Sequence, residues 1–255
     1  MSELHTELVA SFDGAELAVH HLRPKHEGAR PVILLHGLFS SAQMNWLRFG
    51  HAQALVEAGF APIMPDLRAH GASAARHDPR AYPPDVLVRD VHWLVNALGL
   101  EEYDLVGFSL GARTAARAVI EGLAPRHLVL AGMGLEGLSD WQRRASLFVE
   151  AIDRFDEVER GEKAYFAVQF MKTMKVDRTA ARLLLQSVQD VPSADLSRIT
   201  MPTLVLSGED DRDNGSPQEL AVALPQARCE EVPGNHMSSV TKPELGQAIA
   251  RFLAG

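Results

Sequence analysis

Cysteine is nearly absent. Cys229 stands alone, which excludes a disulfide within the chain and suits a reducing compartment. A basic excess is missing too: 25 lysines and arginines face 33 acidic residues, for a formal charge of −8. No Lys/Arg-rich run offers a hold to nucleic acid or to an anionic membrane, so neither partner is expected. No apolar run approaches the roughly 20 residues that a membrane-spanning helix needs. The opening Met1-Ser2-Glu3-Leu4-His5-Thr6-Glu7 has neither the basic region nor the apolar stretch of a secretory leader. A soluble, cytoplasmic protein is expected. Paired cysteines, HExxH and a phosphate-cradling glycine loop are all missing, so no metal and no cofactor are expected.

What is present is a rhythm of strands and helices. Stretches at 4–12 and 15–22 alternate and are separated by Asp13-Gly14, a hairpin signal. Val32-Ile33-Leu34-Leu35 is a continuous apolar run, as expected for a parallel strand covered on both faces. Residues 42–58 read as a helix ending at Gly59, followed by the short strand Ala61–Met64. Leu87, Val91, Leu94 and Leu98 mark one face of a further helix. Strands at 103–106 and 127–131 flank another helix, and strands at 202–206 and 228–232 precede a final helix carrying Leu245, Ile249 and Phe252. Such alternation predicts right-handed crossovers and a doubly wound, mostly parallel α/β sheet.

The alternation lapses from about 134 to 200, where only helical patterns appear: Trp141, Ala145, Phe148, Ile152 and Phe155; then Phe166, Phe170 and Met174; then Leu184 and Val188. The expected organisation is therefore a core domain of residues 1–133 and 201–255 with a helical block, 134–200, inserted in it.

Chemistry concentrates at Gly107-Phe108-Ser109-Leu110-Gly111, between a strand and a helix. A serine on such a turn has its hydroxyl held above the sheet edge, and the flanking glycines keep the turn and the helix–strand approach free of Cβ atoms. The hydroxyl needs a base. Of eleven histidines, His236 follows a late strand in Val232-Pro233-Gly234-Asn235-His236, where a base would sit at the carboxyl edge of the sheet. The base needs a carboxylate to fix its tautomer. Gly208-Glu209-Asp210-Asp211-Arg212-Asp213 ends another strand; Asp211 is preferred, with Asp210 and Asp213 as alternatives. An oxyanion would be met by the backbone N–H of Leu110 at the helix start and that of Leu38 in the loop His36-Gly37-Leu38-Phe39. His36 is read as a brace for that loop.

These residues resemble the α/β-hydrolase superfamily, in its esterase-like serine-hydrolase branch with a helical cap. The resemblance rests on His36-Gly37, Asp66-Leu67-Arg68-Ala69-His70-Gly71-Ala72-Ser73, the Ser109 pentapeptide, Gly208–Asp211 and Gly234-Asn235-His236, in family order across nearly the whole chain. It implies Asp211 as the acid, the fourth residue of the glycine-led turn. It also implies that the Asp66–Ser73 loop is mainly structural. Ala69 and Ala112 stand where relatives often carry glycine. Serine at 109, not aspartate, argues against the family's epoxide hydrolases and dehalogenases.

The implied activity is cleavage of a small-molecule carboxylic ester or related acyl compound through an acyl-serine. The pocket is expected from Phe39, Met133, Trp141, Phe148, Phe166, Phe170 and Met237, with Phe155 and Met174 on the same cap faces. Two alternatives share the scaffold. One is a ligand sensor that retains the triad. The other is a lyase similar to the menaquinone-pathway synthase that eliminates pyruvate from an anionic substrate, suggested by Arg113, Arg143 and Arg144. Solvation on helix surfaces is the default reading of those arginines. No motif speaks to oligomeric state.

Overall fold

The computed structural model describes residues 2–255, so Met1 of the amino-terminal segment lies outside the described residues. Eight strands form one sheet: β1 (Leu4–Ala10), β2 (Glu16–Leu22), β3 (Arg30–Leu35), β4 (Phe60–Pro65), β5 (Asp104–Phe108), β6 (Leu128–Ala131), β7 (Thr203–Gly208) and β8 (Ala227–Val232). Their order is β1-β2-β4-β3-β5-β6-β7-β8. β1 and β2 are antiparallel and β2 meets β4 antiparallel; every later pair is parallel. This is the doubly wound, mostly parallel α/β sheet that the strand–helix rhythm predicts.

Side chains alternate across the central strands, and that period of two builds two cores. Ile33, Leu35, Leu105, Leu128, Leu130 and Val205 enter one apolar cluster. Val32, Leu34, Val106, Val129, Leu204 and Leu206 enter the other. The first face is covered by α2 (Val86–Ala97) and α3 (Leu110–Ile120), with Leu220 of α8 (Pro217–Ala223). The second is covered by α1 (His51–Glu57) and α9 (Pro243–Ala254). The expected helix over 42–58 is broken in two: a π-helical turn spans Gln43–Leu47, and Gly50, at φ +81°, interrupts the chain before α1. Glycine enters that left-handed conformation without steric cost, so the helix restarts there.

One buried knot ties the antiparallel corner to the rest. Arg68 uses all five of its N–H donors: Nε and Nη2 on Asp90 of α2 (2.9 and 2.7 Å), Nη1 and Nη2 on Asp13 of the β1–β2 turn (2.7 and 2.9 Å), and Nη1 on the Ala81 carbonyl (2.9 Å). The Arg68 hydrogen bond holds the Asp13 carboxyl down at about 2 against the upward push of partial burial.

Between β6 and β7 the chain is helical: α4 (Leu135–Ser139), α5 (Trp141–Asp153), α6 (Tyr165–Met174) and α7 (Arg178–Ser187), then a 3-10 turn at Ser193–Arg198. The stripe expected on α5 is packed, with Trp141, Ala145 and Ile152 buried and Phe148 and Phe155 half-buried. The stripe expected on α6 is not the buried one. Ala164, Val168 and Met171 face inward at spacings of four and three, whereas Phe166 is 82% exposed with its ring edge against Tyr165. α6 carries more than one apolar stripe, and the one through Val168 and Met171 is the buried one.

Candidate active site

Ser109 sits between β5 and α3 at φ +53°, ψ −113°, a strained conformation for a residue with a Cβ. Its own N–H is tied to the Ala131 carbonyl of β6 at 2.8 Å. The glycines around it have the steric reason that the pentapeptide implies. A Cβ on Gly107 would stand 2.3 Å from the Gly111 carbonyl carbon, and one on Gly111 would stand 2.2 Å from the Leu35 oxygen. Without them α3 can start directly over the strand ends, and Ser109 Oγ is presented at the carboxyl edge.

The serine Oγ lies 3.1 Å from His236 Nε2, and His236 Nδ1 lies 2.8 Å from Asp211 Oδ2. An ionised Asp211 has only lone pairs to offer, so Nδ1 carries the proton and Nε2 is free to accept from the hydroxyl. Burial pushes the Asp211 carboxyl up, but the His236 hydrogen bond and charge, the Asp213 N–H (3.0 Å) and Arg144 together hold it below the usual carboxylate range. Asp210 and Asp213 are exposed and Asp211 is buried, so geometry separates the three acids.

Two missing Cβ atoms bring these loops together. One on Gly208 would meet the Gly234 oxygen at 2.2 Å, and one on Gly132 would stand 3.2 Å from His236 Cε1 and 2.9 Å from the Phe108 ring. Gly132 is pinned by its N–H on the Leu206 oxygen and its oxygen on Asn214 Nδ2, both at 2.8 Å. Asn214 had no motif to mark it in the sequence.

The loop after β3 is anchored amide by amide. Gly37 N–H donates to Asn45 Oδ1 (3.1 Å), Phe39 N–H to His70 Nε2 (2.9 Å), Ser40 N–H to the Gly37 oxygen (3.2 Å) and Ala42 N–H to Asp66 Oδ1 (2.8 Å). The Leu38 amide has no acceptor among the described residues, and neither does that of Leu110, the first residue of α3. A Cβ on Gly37 would stand 3.5 Å from Ser109 Cβ, so the loop that carries Leu38 passes beside the serine. His36 braces this loop as expected: it accepts from Leu67 N–H at 2.9 Å, and its Nδ1–H donates to the Gly37 oxygen at 2.8 Å. Phe39 stands at φ +58°, which costs an L-residue about 1–2 kcal/mol.

The expected pocket residues divide. Phe39 and Phe148 of α5 meet edge to face with centroids 5.8 Å apart. Met133 and Trp141 are buried, Phe170 is half-buried, and Met237 is 54% exposed beside His236. Phe166 is the correction: it points to solvent from the outer face of α6 and lines nothing.

Arg113, one helical turn beyond Ser109, is also not where surface solvation would put it. It is buried beneath the Trp141 ring, 5.3 Å from its centroid, and Nε and Nη2 have no hydrogen-bond partner. Burial lowers its pKa to about 10 despite the pull of Asp85 and Asp190. Those two carboxylates are engaged elsewhere, Asp85 with Arg117 and Asp190 with the Trp141 N–H. Arg144 is half-buried with the charges of Asp213 and Asp211 acting on it. Arg143 is exposed and paired with Asp140, the surface role expected of it.

Among the described residues, Asp211, Asp213 and His236 could present ligand atoms to a metal ion within 4.8 Å of one another. Asp211 and His236 are already bonded to each other, so an ion there would displace the hydrogen bond that orients the imidazole.

A family profile described as the alpha/beta hydrolase fold matches residues 30–160. The chain belongs to the α/β-hydrolase family. A non-heme chloroperoxidase of Kitasatospora aureofaciens is 26% identical over 214 residues, covering 72% of this chain and 74% of that protein. A 2-succinyl-6-hydroxy-2,4-cyclohexadiene-1-carboxylate synthase of Yersinia pestis is 33% identical over 123 residues, 48% of this chain and 41% of the synthase. An epoxide hydrolase of Caballeronia sordidicola is 32% identical over 99 residues, and the match spans 30% of its length. Among solved structures, a hydrolase from Pseudomonas aeruginosa superimposes over 98% of this chain and 99% of that chain with TM-score 0.75 at 25% identity. An enol-lactonase from Burkholderia xenovorans superimposes over 98% and 100% with TM-score 0.76 at 22% identity, a likeness of fold. No helix is long and apolar enough to cross a membrane among the described residues.

Proposed function

We propose that this α/β-hydrolase cleaves a carboxylic ester or related acyl compound through an acyl-Ser109 intermediate. The observation that carries the reading is the continuous hydrogen-bond chain Ser109 Oγ–His236–Asp211, ending on a strained strand–helix turn with two free backbone donors beside it. In this reading His236 Nε2 takes the Ser109 proton as Oγ attacks the acyl carbon, and Asp211 stabilises the imidazolium. The developing oxyanion is met by the N–H groups of Leu38 and Leu110, which have no other acceptor to lose. The imidazolium then protonates the departing alcohol. Water activated by the same His236 releases the acid. No step calls for a metal or cofactor.

Residues 134–200 act as the cap in this proposal, with Phe148 and Phe39 supporting the acyl side of the site. The partner is a small molecule, and the compartment is the cytoplasm. The test is a p-nitrophenyl ester series run beside fluorophosphonate labelling. Labelling with short-chain turnover supports the hydrolase; a chain without either refutes it.

A second reading is favoured by one observation, the buried and unpartnered Arg113. A guanidinium with two unpartnered nitrogens suits a carboxylate, and a carboxylate appears in the name of the synthase that is 33% identical over 123 residues. There the serine–histidine pair would move protons in an elimination, without acylation. Labelling of Ser109 without turnover of any ester would favour this lyase, or a sensor, over the esterase.

A further inference from the structure

The family resemblance gives the Asp66–Ser73 loop only a structural part, and nothing in the Ser109 chain involves it. Its His70 nevertheless reaches into the site. The ring is buried and neutral: burial, together with His36 at 5.1 Å between centroids, pushes its pKa down to about 3. Because Nε2 accepts the Phe39 N–H at 2.9 Å, the proton lies on Nδ1, which donates to the Arg68 oxygen at 3.0 Å. The residue that supplies that oxygen is the one locked by five hydrogen bonds to Asp90, Asp13 and Ala81.

We infer that His70 is a positioning residue for the oxyanion donors. Through Phe39 it keeps the Leu38 amide unpaired and beside Ser109. Phe39 is held at φ +58°, a conformation an aromatic residue leaves when nothing retains it. Its retainers are the His70 nitrogen, the edge-to-face contact with Phe148 and the Ser40 N–H to Gly37 oxygen bond that closes the turn around it. Relaxing φ at Phe39 turns the Leu38–Phe39 peptide, and through Leu38 Cα that motion reaches the adjoining peptide, which carries the Leu38 N–H. A preorganised donor is useful only while it stays aimed. The rigid Arg68 knot is thus coupled through one imidazole to a loop that must not move during the reaction.

The inference rests on the hydrolytic reading, and its test separates the two. His70→Phe keeps a flat ring and deletes the acceptor; His70→Gln offers Oε1 in place of Nε2. With p-nitrophenyl butyrate, His70→Phe is expected to lower kcat about 10- to 100-fold, short of the 10²–10³ lost when a donor itself is deleted. KM should stay within about twofold. Affinity for a trifluoromethyl ketone, whose adduct carries the oxyanion, should fall in step with kcat. His70→Gln should recover most of both losses. In the unmodified protein, ring ¹⁵N shifts should report a neutral Nδ1–H tautomer from pH 5 to 8, with slow exchange of the Phe39 amide. Equal loss in both variants, unchanged kcat in His70→Phe, a ring protonated on Nε2, or a fast-exchanging Phe39 amide would each overturn the inference. A wild-type chain without ester turnover refutes the hydrolytic reading instead, and the tautomer and Phe39 exchange still decide whether His70 holds the loop.

Discussion

Arg68 and Arg113 are both about 1% exposed, and there the likeness ends. Every donor of Arg68 is spent on a carboxylate or a carbonyl, and its charge stitches the β1–β2 turn to α2. Arg113 lies one turn beyond Ser109 with two nitrogens unpartnered beneath Trp141. A protein normally pairs what it buries, because an unpaired polar group forfeits its hydration for nothing. The saturated guanidinium marks the part of the molecule that sets shape, and in the proposed second reading the unsaturated one is left to meet a substrate carboxylate. The free amides of Leu38 and Leu110 fall on the same side of that division as Arg113.

The largest expected effect lies on the chemical side. Asp211→Asn should leave the fold intact and cost roughly 10⁴ in kcat, because the amide presents His236 with the wrong tautomer. Asp210→Asn and Asp213→Asn should cost far less, as both side chains stand in solvent. Steady-state kinetics on the three variants would break the assignment if Asp213→Asn proved the most damaging.

Next come the two arginines. Arg68→Met strands the buried Asp90 carboxylate and should destabilise the fold by about 3–5 kcal/mol in urea unfolding. Arg113→Met should do the opposite. With its pKa lowered to about 10, Arg113 is charged in native and unfolded chains alike at pH 7, and only the native chain bears the uncompensated burial. Removing it should be neutral or stabilising, within about 1–4 kcal/mol, while any preference for substrates bearing a carboxylate disappears. If both substitutions destabilise equally, the division between the two sites fails.

An acid titration sharpens the shape-setting side. An unfolded histidine takes a proton near pH 6.5, whereas native His70 resists until about pH 3. The unfolded state binds more protons across that window, so stability is full above about pH 6.5 and falls as pH drops toward 3. His36, lowered by its burial, acts in the same direction. Thermal melts of His70→Gln should show a shallower slope over this range.

The smallest effect concerns Ala69, which is held at φ +65°. Ala69→Gly relieves left-handed strain of about 1–2 kcal/mol and gives back about 0.4–1 to the unfolded chain. A net gain of roughly 0.5–1 kcal/mol is expected in denaturant melts.

What could be read in the sequence follows from how local each signal is. The Ser109 turn is written in five adjacent residues, and β3 in a continuous apolar run, so both were legible. Asp211 was preferred over Asp210 and Asp213 on chain order and the family resemblance, and its burial separates it from those two exposed neighbours. The burial of Arg113 could not be read, since a helix sequence does not say which face Trp141 of a distant helix will cover. His70 and Phe39 lie 31 positions apart and share one hydrogen bond that only the folded sheet creates. Phe166 misled for a simpler reason: α6 carries two apolar faces, and spacing alone does not rank them.

That Ser109 is acylated during turnover is tested most directly by intact-mass and peptide mass spectrometry after brief exposure to p-nitrophenyl acetate. A single acyl adduct is expected, located on Ser109 and absent from Ser109→Ala, with the variant as stable as the parent. An adduct that persists in Ser109→Ala, or none in the parent chain, would contradict it.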